Sequence, residues 1–168
     1  MKFCLDSTII KPENDIETKY AIILLHGYGG DGEDISMLAL NWKRYMPNTV
    51  FICPNGHEPC AINPTGYQWF DLTKEDSEYI LDQSIKAENV LKKFISEVKK
   101  EFKLFNNQIC LLGFSQGCMM SLNIGLTTEE KFSCIVGFSG KIINQKDLKN
   151  RIKNNTETLL IHGDADQI

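Results

Sequence analysis

Short apolar runs recur along the chain at Tyr20–Leu25 (YAIILL), Thr49–Cys53 (TVFIC), Gln108–Leu112 (QICLL), Cys134–Phe138 (CIVGF) and Thr158–Ile161 (TLLI), each stopping near a Gly or Pro. They are continuous rather than alternating, which predicts strands covered on both faces, as in a parallel sheet. Helical spacing fills the intervals. Ile35, Leu38, Trp42 and Tyr45 fall on one face of a first helix, and Ile80, Ala87, Leu91, Phe94, Val98 and Phe102 form a longer stripe that leaves Lys92, Lys93, Lys99 and Lys100 outside. Thr73 followed by Asp76 reads as a capping pair before this second helix. Strands alternating with helices make right-handed β-α-β units, hence an α/β sandwich whose ligands sit at the carboxyl ends of the strands. No repeat, Ser/Pro-rich linker or charge block divides residues 1–168, so the chain reads as one domain.

Composition narrows the class. The 168 residues are 42% hydrophobic and 24% charged, the balance of a globular domain with a core to bury. Eighteen Lys and Arg stand against 22 Asp and Glu, a net charge of −4, which argues against a phosphate-neutralising face for nucleic acid or for an anionic membrane surface. The longest apolar stretch, Ala21–Leu25, is far short of the roughly 20 residues of a membrane span, and the opening Met1-Lys2-Phe3-Cys4-Leu5-Asp6 breaks before a leader can form. The six cysteines show no C-x-x-C pair and no regular framework, so they are expected to be reduced, mostly buried thiols in a cytosolic protein.

The sharpest chemical signal is Gly113-Phe114-Ser115-Gln116-Gly117, directly after the run Gln108–Leu112 and before an apolar pattern through Met119, Met120 and Ile124. G-x-S-x-G in a strand–turn–helix setting is a nucleophile elbow: glycines flank the serine because the turn that lifts its Oγ out of the sheet leaves no room for neighbouring side chains. A second signal, Leu25-His26-Gly27-Tyr28-Gly29-Gly30, ends the first strong strand and suits a loop whose N–H groups approach a substrate. The backbone amides of Tyr28 and Gln116 are then the expected oxyanion donors. A third, His162-Gly163-Asp164-Ala165-Asp166, places carboxylates at a strand end after the serine. Asp166 is expected as the acid that orients a histidine, with Asp164 bonding the turn backbone.

Taken together, LHGYGG (Leu25–Gly30), QWFD (Gln68–Asp71), GFSQG and HGDAD (His162–Asp166) resemble, in that order, the carboxylesterase and acyl-protein thioesterase (phospholipase/carboxylesterase) family of α/β-hydrolases. The resemblance runs from about residue 20 to the last residue. It implies a three-layer α/β-hydrolase-type sandwich with a mostly parallel central sheet, Ser115 as nucleophile, Asp166 as triad acid, and Tyr28 and Gln116 as oxyanion donors. Small esters or thioesters with apolar acyl groups would be the substrates, with no metal or organic cofactor. His26, Gly27, Trp69 and Phe70 would line the substrate pocket, although Trp69 and Phe70 serve equally well as ordinary core. One departure matters. In that family the acid is followed by a further helix, a strand, the catalytic histidine and a terminal helix, whereas this sequence ends two residues after Asp166. None of His26, His57 and His162 occupies the position of the base, so a crippled hydrolase, or an inactive remnant that binds acyl ligands, is expected. With no strand beyond it, Thr158–Ile161 should lie at an open sheet edge and favour self-association. A flavodoxin-like nucleotide binder shares the α/β pattern, but His26-Gly27-Tyr28-Gly29-Gly30 is not the G-x-G-x-x-G phosphate loop.

Overall fold

The computed structural model describes residues 2–13 and 16–166. Its centre is a six-stranded sheet built from β1 (Ser7–Ile10), β2 (Tyr20–Leu25), β3 (Thr49–Pro54), β6 (Ile109–Phe114), β7 (Cys134–Phe138) and β8 (Thr158–Ile161), in the order β1-β3-β2-β6-β7-β8. All neighbours are parallel except β1, which runs antiparallel along β3 with Ser7 opposite Pro54. A two-stranded hairpin of β4 (Glu58–Pro59) and β5 (Tyr67–Gln68) stands apart from it. Helices α1 (Gly32–Trp42), α2 (Ser77–Phe102), α3 (Gln116–Thr127) and α4 (Gln145–Arg151) complete the layers.

The unbroken apolar runs have the predicted physical origin. Every residue of β3, and all of β2 after Tyr20, is buried, and successive side chains divide between the two sides of the sheet. Ile23, Leu25, Ile52, Ile109 and Leu111 meet Leu91, Phe94 and Val98 of α2 and Met119, Met120 and Ile124 of α3. Ile22, Leu24, Phe51 and Leu112 face the other way, toward Ala39 and Trp42 of α1. Each large side chain fully buried in this way contributes about 1.5–3 kcal/mol of transfer free energy.

Four sequence expectations are corrected. The N-cap of α2 is Asp76, whose carboxylate accepts from the Tyr79 N–H at 2.7 Å, while Thr73 folds back onto Asp71 through its N–H and hydroxyl instead of capping the helix. On α1 the buried positions are Gly32, Ser36 and Ala39, whereas Leu38 and Tyr45 are exposed. Small residues face the sheet because α1 runs close to it: a Cβ on Gly32 would lie 2.1 Å from the Cys53 carbonyl oxygen. Tyr45 falls beyond the helix in a 3₁₀ turn (Lys43–Tyr45), which rotates it off the stripe. Finally, β8 is not covered on both faces: it pairs with β7, and all four of its residues are exposed at the sheet edge.

An ion-pair network ties α4 to the helices beneath it. Glu88 on α2 is only 2% exposed, and its carboxylate accepts from both terminal nitrogens of Arg151, each at 2.9 Å, from Asn123 of α3 at 3.0 Å and from Lys92 at 3.3 Å. Arg151 also donates to Asp147 at 2.7 Å.

Candidate active site

The carboxyl end of β6 turns sharply into α3, and the residue at the corner is Ser115, with φ 51° and ψ −113°. A non-glycine residue at positive φ is uncommon and persists only where its surroundings enforce it. Here the enforcement is visible. The Ser115 N–H donates to the Phe138 carbonyl at 2.8 Å and its own carbonyl accepts from Met119 at 3.2 Å. The flanking glycines have no room to be anything else: a Cβ on Gly113 would lie 2.2 Å from the Gly117 carbonyl carbon, and one on Gly117 would lie 2.0 Å from the Leu25 oxygen. The serine is half-buried, and no hydrogen bond engages its Oγ among the described residues.

Beside it runs the loop that leaves β2. A Cβ on Gly27 would stand 3.4 Å from the Ser115 Cβ, which puts this backbone against the serine. The hairpin pins the loop: the Gly29 N–H donates to Tyr67 O at 2.9 Å, the Tyr67 N–H to Gly30 O at 2.8 Å, and the Asn63 amide to Gly29 O at 2.7 Å. Gly29 takes φ 79°, the conformation that glycine adopts without strain. Between these ties the Tyr28 N–H carries no hydrogen bond among the described residues, and the Gln116 N–H, first in α3, is one of the helix-end donors without an intrahelical partner. A helix N-terminus and an unpaired amide beside one hydroxyl suit an anion that forms there.

Other site residues have structural work. His26 is buried, and both ring nitrogens are used, Nδ1 at 2.7 Å from Gly27 O and Nε2 accepting the Gly56 N–H at 2.9 Å. Burial depresses its pKa against the opposing effects of Gly27 O, Asp31 and Asp34, so the ring is held neutral as a brace rather than free as a base. Trp69 and Phe70 are each 1% exposed and belong to the core. Trp69 donates its indole N–H to His26 O at 2.9 Å, and its ring lies 5.2 Å from the His26 ring. The expected pocket role of Trp69 and Phe70 therefore gives way to packing beneath the loop. His26 and Gly27 do line a cavity of about 670 Å³ shared with Phe114, Leu38, Phe138 and His162.

The side chain of Gln116, invisible to motif reasoning, joins the two halves of the site. Fully buried, it accepts from the Trp69 N–H at 2.8 Å and donates to Phe70 O at 2.7 Å. It thus fixes the QWF segment to the elbow. The motif places Gln next to the serine, but nothing local shows that its partners lie 46 and 47 residues away.

Asp166 lies past the end of β8, its N–H closing a turn onto Gly163 O at 3.0 Å and its carboxylate 3.4 Å from His162 Nε2. His57 sits 3.6 Å from Glu58, with its Nδ1 buried and unpartnered and its pKa depressed by burial. Among the described residues, no histidine bonds Ser115.

A serine at a strained strand-to-helix corner over a mostly parallel sheet, beside a glycine loop with a spare amide, defines an α/β-hydrolase. Residues 6–168 match the phospholipase/carboxylesterase family, to which the chain belongs. By family it is a serine hydrolase of the carboxylesterase and thioesterase type. Acyl-protein thioesterase 1 of Emericella nidulans is 32% identical over 165 residues, covering 88% of this chain and 69% of that protein. The protein of the same name from Schizosaccharomyces pombe is 30% identical over 145 residues, covering 81% of this chain and 61% of that protein. Among solved structures, esterase PE8 superposes with a TM-score of 0.89 at 36% identity, over 95% of this chain and 75% of that one. Acyl-protein thioesterase 2 of Zea mays shares the fold, with a TM-score of 0.70 at 22% identity over 97% and 78%.

Proposed function

We propose that this chain forms a single hydrolase domain that acts on carboxylic esters or thioesters of small apolar acyl groups through an acyl-enzyme on Ser115. The amides of Tyr28 and Gln116 hold the tetrahedral oxyanion, and Asp166 is the triad acid. The observation that carries this reading is the elbow itself: a serine held at φ 51° between glycines that tolerate no Cβ, with the Gly27 backbone against it. The apolar cavity reached past His26 and Gly27 suits an acyl group better than a charged one.

The base is the weak element. His26 is braced at both nitrogens, His57 lies beside Glu58, and His162 faces Asp166. With no histidine bonded to it among the described residues, Ser115 would be a weak nucleophile on these residues alone. Loss of the base from such a triad lowers kcat by about 10⁴ to 10⁶, while the oxyanion donors retain roughly 10³ to 10⁴ over water. The same engagement of the histidines favours, as a second reading, a chain that binds acyl ligands without turning them over. Six free thiols and the lack of any helix long and apolar enough to cross a membrane, among the described residues, support a cytosolic setting.

A fluorophosphonate probe with and without added imidazole tests both readings. Expected is slow labelling of Ser115 that imidazole, acting as a substitute base, accelerates in a saturable manner, with no label in Ser115→Ala. Labelling that persists in Ser115→Ala overturns the assignment of the nucleophile. Ser115 inert even with imidazole, alongside tight binding of a fatty-acid analogue, selects the acyl-binding reading.

A further inference from the structure

On the face of the sheet away from α2 and α3, β6 and β7 place two cysteines in register. Cys110 and Cys134 are direct partners across the parallel ladder, and both side chains line an apolar cavity of about 760 Å³. The two thiols are close enough to influence each other's ionisation, so each is the main neighbour that shifts the other. Adjacent strands lie about 4.8 Å apart, inside the roughly 4.4–6.8 Å Cα separation that disulfides span. Neither residue is fully buried, in contrast to Cys53, Cys60 and Cys118.

We propose that Cys110 and Cys134 form a dithiol modification site that exchanges with small disulfides of the glutathione class and closes to a reversible Cys110–Cys134 disulfide. The Cys134 thiolate attacks one sulfur of the small disulfide, forming a mixed disulfide and expelling one thiolate, which takes up a proton. Cys110 then loses its proton to solvent and attacks Cys134 Sγ, expelling the second small thiol. Two protein thiols are oxidised, one small disulfide is reduced to two thiols, and no further reagent enters.

The direction of attack follows from the surroundings. Cys110 beside it, with Ser133, favours the Cys134 thiolate and lowers its pKa against burial. The Cys134 neighbour, together with burial, raises that of Cys110, which suits it to the resolving role. The remaining shifts run upward: burial pushes Cys53 up to about 12, and also raises Cys118 and the exposed Cys4. Thiolate character therefore falls at Cys134, a partly exposed residue lining the cavity. The cavity provides the approach: both cysteines line it, and it is large enough for the departing thiol. Once formed, the bond would join the strand that carries Ser115 to its neighbour through a ladder that resists adjustment.

The test treats the full reduced chain with excess oxidised glutathione, quenches with acid, alkylates free thiols and maps peptides by mass. Expected is a transient glutathione adduct on Cys134, followed by a Cys110–Cys134 disulfide that dithiothreitol reverses. Cys134 should react roughly tenfold faster than Cys4. Cys110→Ser should accumulate the Cys134 adduct without resolving it, and Cys134→Ser should give neither adduct nor disulfide at this pair. Circular dichroism checks that the variants fold, with alanine replacements as the second set. Cys4 reacting as fast as Cys134, or a wild-type adduct as persistent as that of Cys110→Ser, overturns the proposal.

Discussion

Glu88→Gln removes one charge from the buried network that anchors α4. In the native protein its carboxylate takes four donors: two nitrogens of Arg151, the amide of Asn123 and the ammonium of Lys92. The glutamine keeps one acceptor oxygen and turns an NH₂ group toward donors, leaving Arg151 its Asp147 ion pair and at most one neutral bond to residue 88. Removing one partner of a fully buried pair costs about 3–5 kcal/mol. The Arg151 side chain is 29% exposed, so water recovers part of that loss, and about 2–3 kcal/mol is expected. For a domain of this size that corresponds to a fall in Tm of roughly 4–12 °C. The pH dependence supplies a second reading of the same interaction. Burial works to raise the pKa of Glu88, but the hydrogen bonds and charge of Arg151, with Lys92 and Asn123, outweigh it and hold the pKa below its ordinary 4.5. A carboxylate whose folded pKa is depressed stabilises the fold above the unfolded value and loses that contribution as pH falls through the folded one. Thermal unfolding followed by circular dichroism should therefore show wild type losing more stability below about pH 4.5 than Glu88→Gln does. A variant within about 0.5 kcal/mol of wild type near neutral pH, or with an unchanged acid profile, would refute the reasoning.

Three further outcomes follow from other contacts. Gly117→Ala, whose Cβ would meet the Leu25 oxygen at 2.0 Å, cannot be accommodated without moving the oxyanion loop; denaturant unfolding should show a loss of at least about 3 kcal/mol or no folded protein, and a near-neutral result would contradict the packing. Gln116→Ala strands the Trp69 N–H and the Phe70 carbonyl in the core, each worth about 1–3 kcal/mol, so a melting curve should fall well below that of the Ser115→Ala control. As a polypeptide of residues 1–168, with β8 exposed beside β7, the chain should self-associate with concentration in sedimentation velocity; Leu160→Lys should suppress it, and a monodisperse monomer of this polypeptide at high concentration would remove the edge from consideration.

The elbow is legible in the sequence because its constraints are local. The backbone of Gly113 meets that of Gly117 only four positions on, and the strand before and the helix after declare themselves by period. The loop after β2 is less so. Its glycines mark a turn, but what fixes the shape of the turn is the hairpin that fastens Gly29 and Gly30, and strands two residues long leave no periodic trace. The antiparallel β1 is likewise a four-residue run, too short to distinguish from a loop. Trp69 and Phe70 show the limit differently: an aromatic pair beside a site motif fits either lining or core, and only burial decides for core. Glu88 reads as one more solvent-facing charge on a lysine-rich helix until Arg151, 63 residues later, is found against it.

The same division bears on how the site keeps its shape. Steric exclusion around two glycines creates the strained corner, yet strain relaxes unless something across the fold opposes it. That opposition comes from long-range polar ties. The Ser115 N–H is held by Phe138, Gln116 holds the QWF segment, and the Trp69 indole holds His26 O, whose Cβ-less neighbour Gly27 faces the serine. Each tie joins a residue of the elbow or its loop to a different stretch of chain, so no single short motif encodes the geometry. A substitution that preserves GFSQG and LHGYGG but removes the Trp69 indole N–H, such as Trp69→Phe, leaves both motifs intact while freeing the His26 carbonyl at the start of the glycine loop. Its effect should appear as a loss of the anion-holding geometry before any loss of overall fold.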